Sequence, residues 1–182
     1  MVDDDQTERA RTNVVLTGFM GTGKTTVGRL LAQRLGYEFV DTDAVIEERH
    51  GSIPAIFADR GETGFRAIER ELARELADRR CLVVATGGRM MLDPDNEVSL
   101  GSGGTVFCLT APGEVILRRV LDDESPVERP LLAGDDAAGR IAELLAERAP
   151  LYRRYPQVAT EDRSPEEIVD DLLRRLKDAG AA

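Results

Sequence analysis

Gly18-Phe19-Met20-Gly21-Thr22-Gly23-Lys24-Thr25 matches G-x-x-x-x-G-K-[S/T] at every defined position, and that spacing carries a mechanism. Glycines let the backbone curl until successive N–H groups point inward at an anion. A helix starting at the lysine adds the positive end of its dipole. In such a loop Lys24 reaches the terminal phosphates of a nucleotide, and the Thr25 hydroxyl can ligate Mg2+. Gly21, Thr22, Gly23, Lys24, Thr25 and Thr26 are therefore the candidate nucleotide-binding residues. Guanine specificity usually needs an N-K-x-D motif. Neither Lys24 nor Lys177, the only lysines, stands in that context, which favours ATP. A second group of chemical interest is Asp41-Thr42-Asp43. Two carboxylates beside a phosphate loop can hold Mg2+ through water and accept a proton from an attacking hydroxyl. Asp and Thr at a strand-to-helix junction also serve as helix N-caps, and the residues alone leave both readings open.

Alternating strands and helices must position these groups. Short apolar runs at 13–17, 37–40, 81–85, 105–109 and 157–160 read as strands. Helical spacing marks 24–35, 44–49, 53–59, 62–79, 112–121 and 136–148, and Ser164-Pro165 opens a last helix. Residues 122–134 are polar and aperiodic, with the character of a mobile surface loop. Residues 93–104 are polar and Gly-rich with no clear helix, and 150–156 reads as a break. The expected fold is α/β: a five-stranded, mainly parallel sheet between two helical layers. Ligands of such sheets bind beyond the carboxyl ends of the strands. The first three strands end at Gly18, Asp41 and Thr86, which brings the candidate chemistry to one edge.

Composition narrows the partners. A net charge of −10 repels phosphate backbones and argues against nucleic acid. No apolar run approaches the roughly 20 residues that span a bilayer, so no membrane partner is expected. His50 is the only histidine, which excludes a His-based metal site or a Ser-His pair. Cys81 and Cys108 fall in apolar strands and read as core thiols of a reducing compartment. The expectation is a cytoplasmic monomer with a disordered leader over 1–11, one domain over 12–179, and a lid near 122–134.

The ordered set Gly18–Thr25, Asp41-Thr42-Asp43, Phe65-Arg66 with Glu69, Gly87-Gly88, Arg129-Pro130-Leu131-Leu132 and Arg148-Ala149-Pro150-Leu151-Tyr152 closely resembles shikimate kinase over about residues 13–161. The resemblance implies a P-loop NTPase fold of the nucleoside monophosphate kinase-like type, with a mobile lid. It implies transfer of the terminal phosphoryl group of ATP to shikimate, a small hydroxylated acid, with Mg2+. By the same resemblance Asp43 matches the residue that contacts the acceptor's hydroxyls and is the candidate general base. Asp41 matches the outer Mg2+ partner beside Thr25. Arg66 and Arg148 match the pair that grips the acceptor's carboxylate, and Glu69 an orienting partner for Arg66. Gly87 and Gly88 match glycines whose backbone approaches the acceptor. Arg129 matches a catalytic lid arginine over the phosphates, and Arg118 or Arg119 a residue packing on adenine. The chemistry is consistent with this set, because a planar guanidinium meets a carboxylate with two parallel bonds.

One position departs from the pattern: Arg89 stands where the family has a third glycine. Its side chain can turn to solvent, contact a different acid or phosphorylated substrate, or mark a weakly active member. Rival readings are a kinase for another hydroxylated acid such as gluconate, a regulatory nucleotide-binding protein, and a nucleoside monophosphate kinase. The acidic Asp122-Asp123-Glu124 disfavours the last.

Overall fold

The computed structural model describes residues 12–122 and 136–180. The expected leader and nearly all of the expected lid, Arg129 included, lie outside these residues. The chain runs β1 (Asn13–Thr17), α1 (Lys24–Leu35), β2 (Glu38–Asp41), α2 (Thr42–His50), α3 (Ile53–Ala77), β3 (Leu82–Ala85), a 3-10 turn (Met90–Leu92), α4 (Pro94–Ser102), β4 (Gly104–Thr110), α5 (Gly113–Leu121), α6 (Ala137–Tyr152), β5 (Gln157–Ala159) and α7 (Pro165–Gly180). The strands form one parallel sheet in the order β2-β3-β1-β4-β5.

Alternation along β1 explains the layers, since successive strand side chains point to opposite faces. Val14 and Leu16 pack with Val27 and Leu31 of α1 and Ile168, Val169 and Leu172 of α7. Val15 faces the other way, into Ile46 of α2, the apolar stripe of α3 and Leu100 of α4. A smaller core of Phe19, Cys108, Ile116, Ile141, Leu144 and Tyr152 sits where α5 and α6 meet the loop after β1. At the foot of β1, buried Asn13 donates to the Arg79 carbonyl at 2.9 Å and accepts the Leu82 N–H at 3.0 Å. At the other end, Leu16 and Asp41 both stand level with Ala85. This register brings the carboxyl ends of β1, β2 and β3 to one edge.

Two expectations are corrected. Residues 93–104 contain a helix, α4. Asp93 caps it by accepting the Asp95 N–H at 3.0 Å, Pro94 occupies the first turn, and Asn96 donates to the Met90 carbonyl at 3.0 Å. Helix α6 also runs through Pro150 to Tyr152. Proline's fixed φ suits a helix, and near the C-terminal end it removes a single backbone bond. The expected interruption between 59 and 62 is a kink at Gly61 (φ 65°) inside α3. Among the described residues no helix is long and apolar enough to cross a membrane.

Candidate active site

The loop from Gly18 to Gly23 bridges the end of β1 and the start of α1. Gly18, Gly21 and Gly23 all have positive φ, the curl that only glycine adopts without strain. Gly23 is the N-cap of α1 with no side-chain cap, so the first-turn N–H groups stay available to an anion. Buried Thr22 braces the loop by donating to the Phe19 carbonyl at 2.7 Å. Lys24 Nζ donates to the Gly18 and Phe19 carbonyls, both at 2.9 Å. Burial pulls its pKa down to about 8, against the raising fields of Asp43 and Asp41.

Asp41 uses its two oxygens differently. Oδ1 caps α2, accepting the N–H of Asp43 at 3.2 Å and of Ala44 at 3.4 Å, while Oδ2 accepts the Thr25 hydroxyl at 2.8 Å. Capping and a link to the phosphate loop thus coexist in one carboxylate. Asp43 is pushed up to about 6, first by burial and then by Asp41, with Lys24 and Arg66 opposing.

The turn after β3 lies across from both. The Gly87 N–H donates to buried Thr42 Oγ1 at 2.9 Å. A Cβ at Gly87 would stand 2.5 Å from Asp43 Oδ1. One at Gly88 would stand 3.6 Å from Arg148 Nη1 and 3.7 Å from the Gly18 carbonyl oxygen. Arg148 is 3% exposed, lies 5.2 Å over the Phe19 ring, and has a buried Nε without a hydrogen-bond partner. On the opposite wall, Arg66 Nη1 donates to Glu69 Oε2 at 2.6 Å. Arg148 therefore stands at the carboxyl edge of the sheet beside the phosphate loop, and Arg66, reaching in from the opposite helical layer, lies near enough to Asp43 to act on its charge.

The sequence model of the shikimate kinase family matches residues 20–177. The chain belongs to the shikimate kinase family. Curated shikimate kinases share 44% identity over 170 residues (Thermus thermophilus; 92% of this chain, 91% of that protein) and 49% over 154 residues (Halorhodospira halophila; 84% and 85%). Among solved structures, shikimate kinase from Acinetobacter baumannii in complex with shikimate superposes with TM-score 0.84 at 38% identity, covering 92% of this chain and 94% of that one. A gluconokinase from Sinorhizobium meliloti, at TM-score 0.61 and 19% identity, shares the fold, covering 93% and 94%. Family membership makes the chain an ATP-dependent kinase, a phosphotransferase acting on an alcohol.

Against that family pattern, the structure brings Lys24, Thr25, Asp41, Asp43, Arg66, Gly87, Gly88 and Arg148 around one cleft. Arg119 is engaged beside the loop, donating to the Gly21 carbonyl at 3.2 Å and to the Thr160 carbonyl at 2.7 Å, whereas Arg118 is exposed. Arg89 has φ −110° and ψ −8°, a backbone open to any residue, and its side chain pairs with Glu62 at the rim. Half exposed, the Arg89 side chain thus lies at the rim of the cavity that Arg66 also lines. No group of three or more His, Cys, Asp or Glu among the described residues is arranged to hold a metal. Mg2+ needs fewer, since it keeps several waters and takes one or two protein oxygens. The Thr25 hydroxyl and Asp41 carboxylate, 2.8 Å apart beside the loop, fit that demand.

Sequence reasoning gave no role to three contributors. Thr42 ties the Gly87 turn to α2, Tyr152 donates to the Gly88 carbonyl at 2.5 Å, and Glu62 pairs with Arg66. Each role depends on a contact between distant segments or across a helical turn that residue type alone does not announce. The Gly87 contact carries an expectation. Gly87→Ala should displace the Asp43 carboxylate and lower kcat/KM by roughly 10- to 100-fold, because misplacement of reacting groups by about 1 Å has costs of that order. Steady-state kinetics beside an unchanged circular dichroism spectrum would check it.

Proposed function

We propose that the chain phosphorylates shikimate at its 3-hydroxyl with ATP, and that Lys24, Asp43 and Arg129 are its catalytic residues. The observation that carries the reading is the meeting of Asp43 and Arg148 at Gly87-Gly88, beside the Gly18 carbonyl of the phosphate loop. A base and a carboxylate-binding cation then flank the place where an acid's hydroxyl would face the nucleotide.

The curled amides from Gly21 to Thr26 and Lys24 hold the phosphates. Thr25, with Asp41 through water, would hold Mg2+, which when bound neutralises charge on the β- and γ-phosphates. Arg66, steadied by Glu69, and Arg148 bind the acceptor's carboxylate and aim its hydroxyl. Asp43, mostly ionised at neutral pH with a pKa of about 6, accepts the hydroxyl proton. The acceptor oxygen bonds to the γ-phosphorus as the bond to the β-bridging oxygen breaks, and that oxygen leaves on ADP with the electron pair. Arg129 supplies positive charge over the phosphates, and Arg118 or Arg119 packs against adenine.

The same reading takes residues 12–179 as one kinase domain acting as a cytoplasmic monomer. Free Cys81 and Cys108 suit a reducing compartment. Among the described residues the exposed large apolar side chains Phe57, Val98, Leu121 and Leu151 are spread over separate elements, and the −10 charge disfavours nucleic acid. A coupled ADP-release assay decides the acceptor. Shikimate should drive ADP release well above the no-acceptor control, gluconate should not, and a chelator should abolish the activity. Folded, nucleotide-binding protein with no shikimate-dependent release would overturn the assignment.

A further inference from the structure

Glu62 Oε1 is shared between two guanidinium groups. It accepts from Arg66 Nη2 at 3.1 Å and from Arg66 Nε at 3.4 Å, and also from Arg89 Nη1 at 3.2 Å. With Glu69 on Nη1, all three Arg66 nitrogens already face a carboxylate. The Nε–Nη2 edge, which an incoming carboxylate can grip with two parallel bonds, is the one Glu62 covers.

The two acids are held very differently. Glu69 is 1% exposed and fixed by packing. The side chains of Glu62 and Arg89 are 55% and 44% exposed, at the rim of a cavity of about 430 Å³ that Arg66 also lines. Glu62 directly follows the Gly61 kink, so its side chain starts a helical stretch and projects from its first turn. Arg66 and Arg89 together hold its carboxyl below the ordinary range, so it stays anionic.

We propose that Glu62 stands in for the acceptor's carboxylate on Arg66, and that Arg89 is the berth that takes Glu62 when the acceptor arrives. The proposal rests on reading the acceptor as an acid gripped by Arg66. Glu62 cannot keep its two bonds to Arg66 once another carboxylate takes that edge. Released into water alone it would lose both, and like charge would still oppose the newcomer. With Arg89 already on the same oxygen, Glu62 exchanges a shared pairing for a full one, and the anion beside the acceptor stays neutralised. Arg89 is thus a positioning residue that acts through Glu62.

Initial rates against shikimate at saturating ATP test this. Arg89→Ala should raise the shikimate KM roughly two- to five-fold, the range for an exposed ion pair, with kcat and the ATP KM unchanged. Arg89→Lys should restore most of the loss. Glu62→Gln should lower the shikimate KM by a similar factor, and in that background Arg89→Ala should have no further effect. The acceptor with its carboxylate reduced to an alcohol should be indifferent to either substitution. An unchanged KM in Arg89→Ala, or a raised KM in Glu62→Gln, overturns the proposal while wild-type turnover leaves the acceptor reading standing. Wild-type protein inactive on shikimate removes both.

Discussion

Asp43→Asn is expected to lower kcat by about 10²- to 10⁴-fold, the usual worth of a positioned general base. The amide keeps the side chain's shape and its place beside Gly87, so the loss isolates proton acceptance from packing. The wild-type pH dependence belongs to the same prediction. A base must be ionised to act, so kcat/KM should rise with pH through about 6, where Asp43 titrates. It should fall again through about 8 as Lys24 loses its charge. Bound nucleotide phosphates favour the charged lysine, so the alkaline limb should move upward in kcat, measured at saturating ATP. In Asp43→Asn the acid limb should vanish. Stability should change in the opposite sense to activity. The folded state raises this carboxyl from 3.8 to about 6, so ionisation costs stability progressively across that interval and fully above it. Removing the carboxylate should therefore stabilise the protein at pH 7 by on the order of 1–3 kcal/mol, and by little below pH 4. Thermal melts of both proteins at the two pH values would check the sign. An intact acid limb in the variant would rule out Asp43 as the titrating base.

Arg148→Met should raise the shikimate KM roughly 30-fold or more, as truncation of a buried, charge-paired binding group does. Stability should hold or improve by about 1–2 kcal/mol, because the methionine removes a buried donor that lacks a partner. Its thioether can still contact the Phe19 ring that the guanidinium now covers at 5.2 Å. Acceptor titrations and thermal melts on one preparation separate the two effects. A strongly destabilised variant with an ordinary KM would mean that Arg148 is a structural cation, and its orphaned Nε an accident of packing.

The parts of this protein that were legible beforehand are those where one residue type has one physical use. Gly18, Gly21 and Gly23 are needed for their positive φ, and β1 and β3 stand out because strands buried on both faces read as short, largely apolar runs. Helix α4 was hidden because Gly101, Gly103 and Gly104 crowd its end and its inward anchors are only Leu100 and an asparagine. The run of α6 through Pro150 was hidden because a proline's effect depends on how near the helix end lies. For the site, the sequence offers arginines with a family position as candidates but gives no reason to single out Glu62. A glutamate on an exposed helical turn has no distinguishing mark until two guanidinium groups are seen to meet on it.

Under the proposed role of Lys24, its resting place bears on how the cleft would treat adenine compounds with and without phosphates. Nζ is already seated on two uncharged oxygens of its own loop, 2.9 Å from each. Arrival of a triphosphate tail swaps those neutral seats for anionic ones, whereas adenosine has nothing to offer in exchange. On the proposed role of Lys24, a preference for phosphate-bearing compounds over adenosine would reside in the loop itself, and because the lysine is partly buried that preference would yield little to added salt.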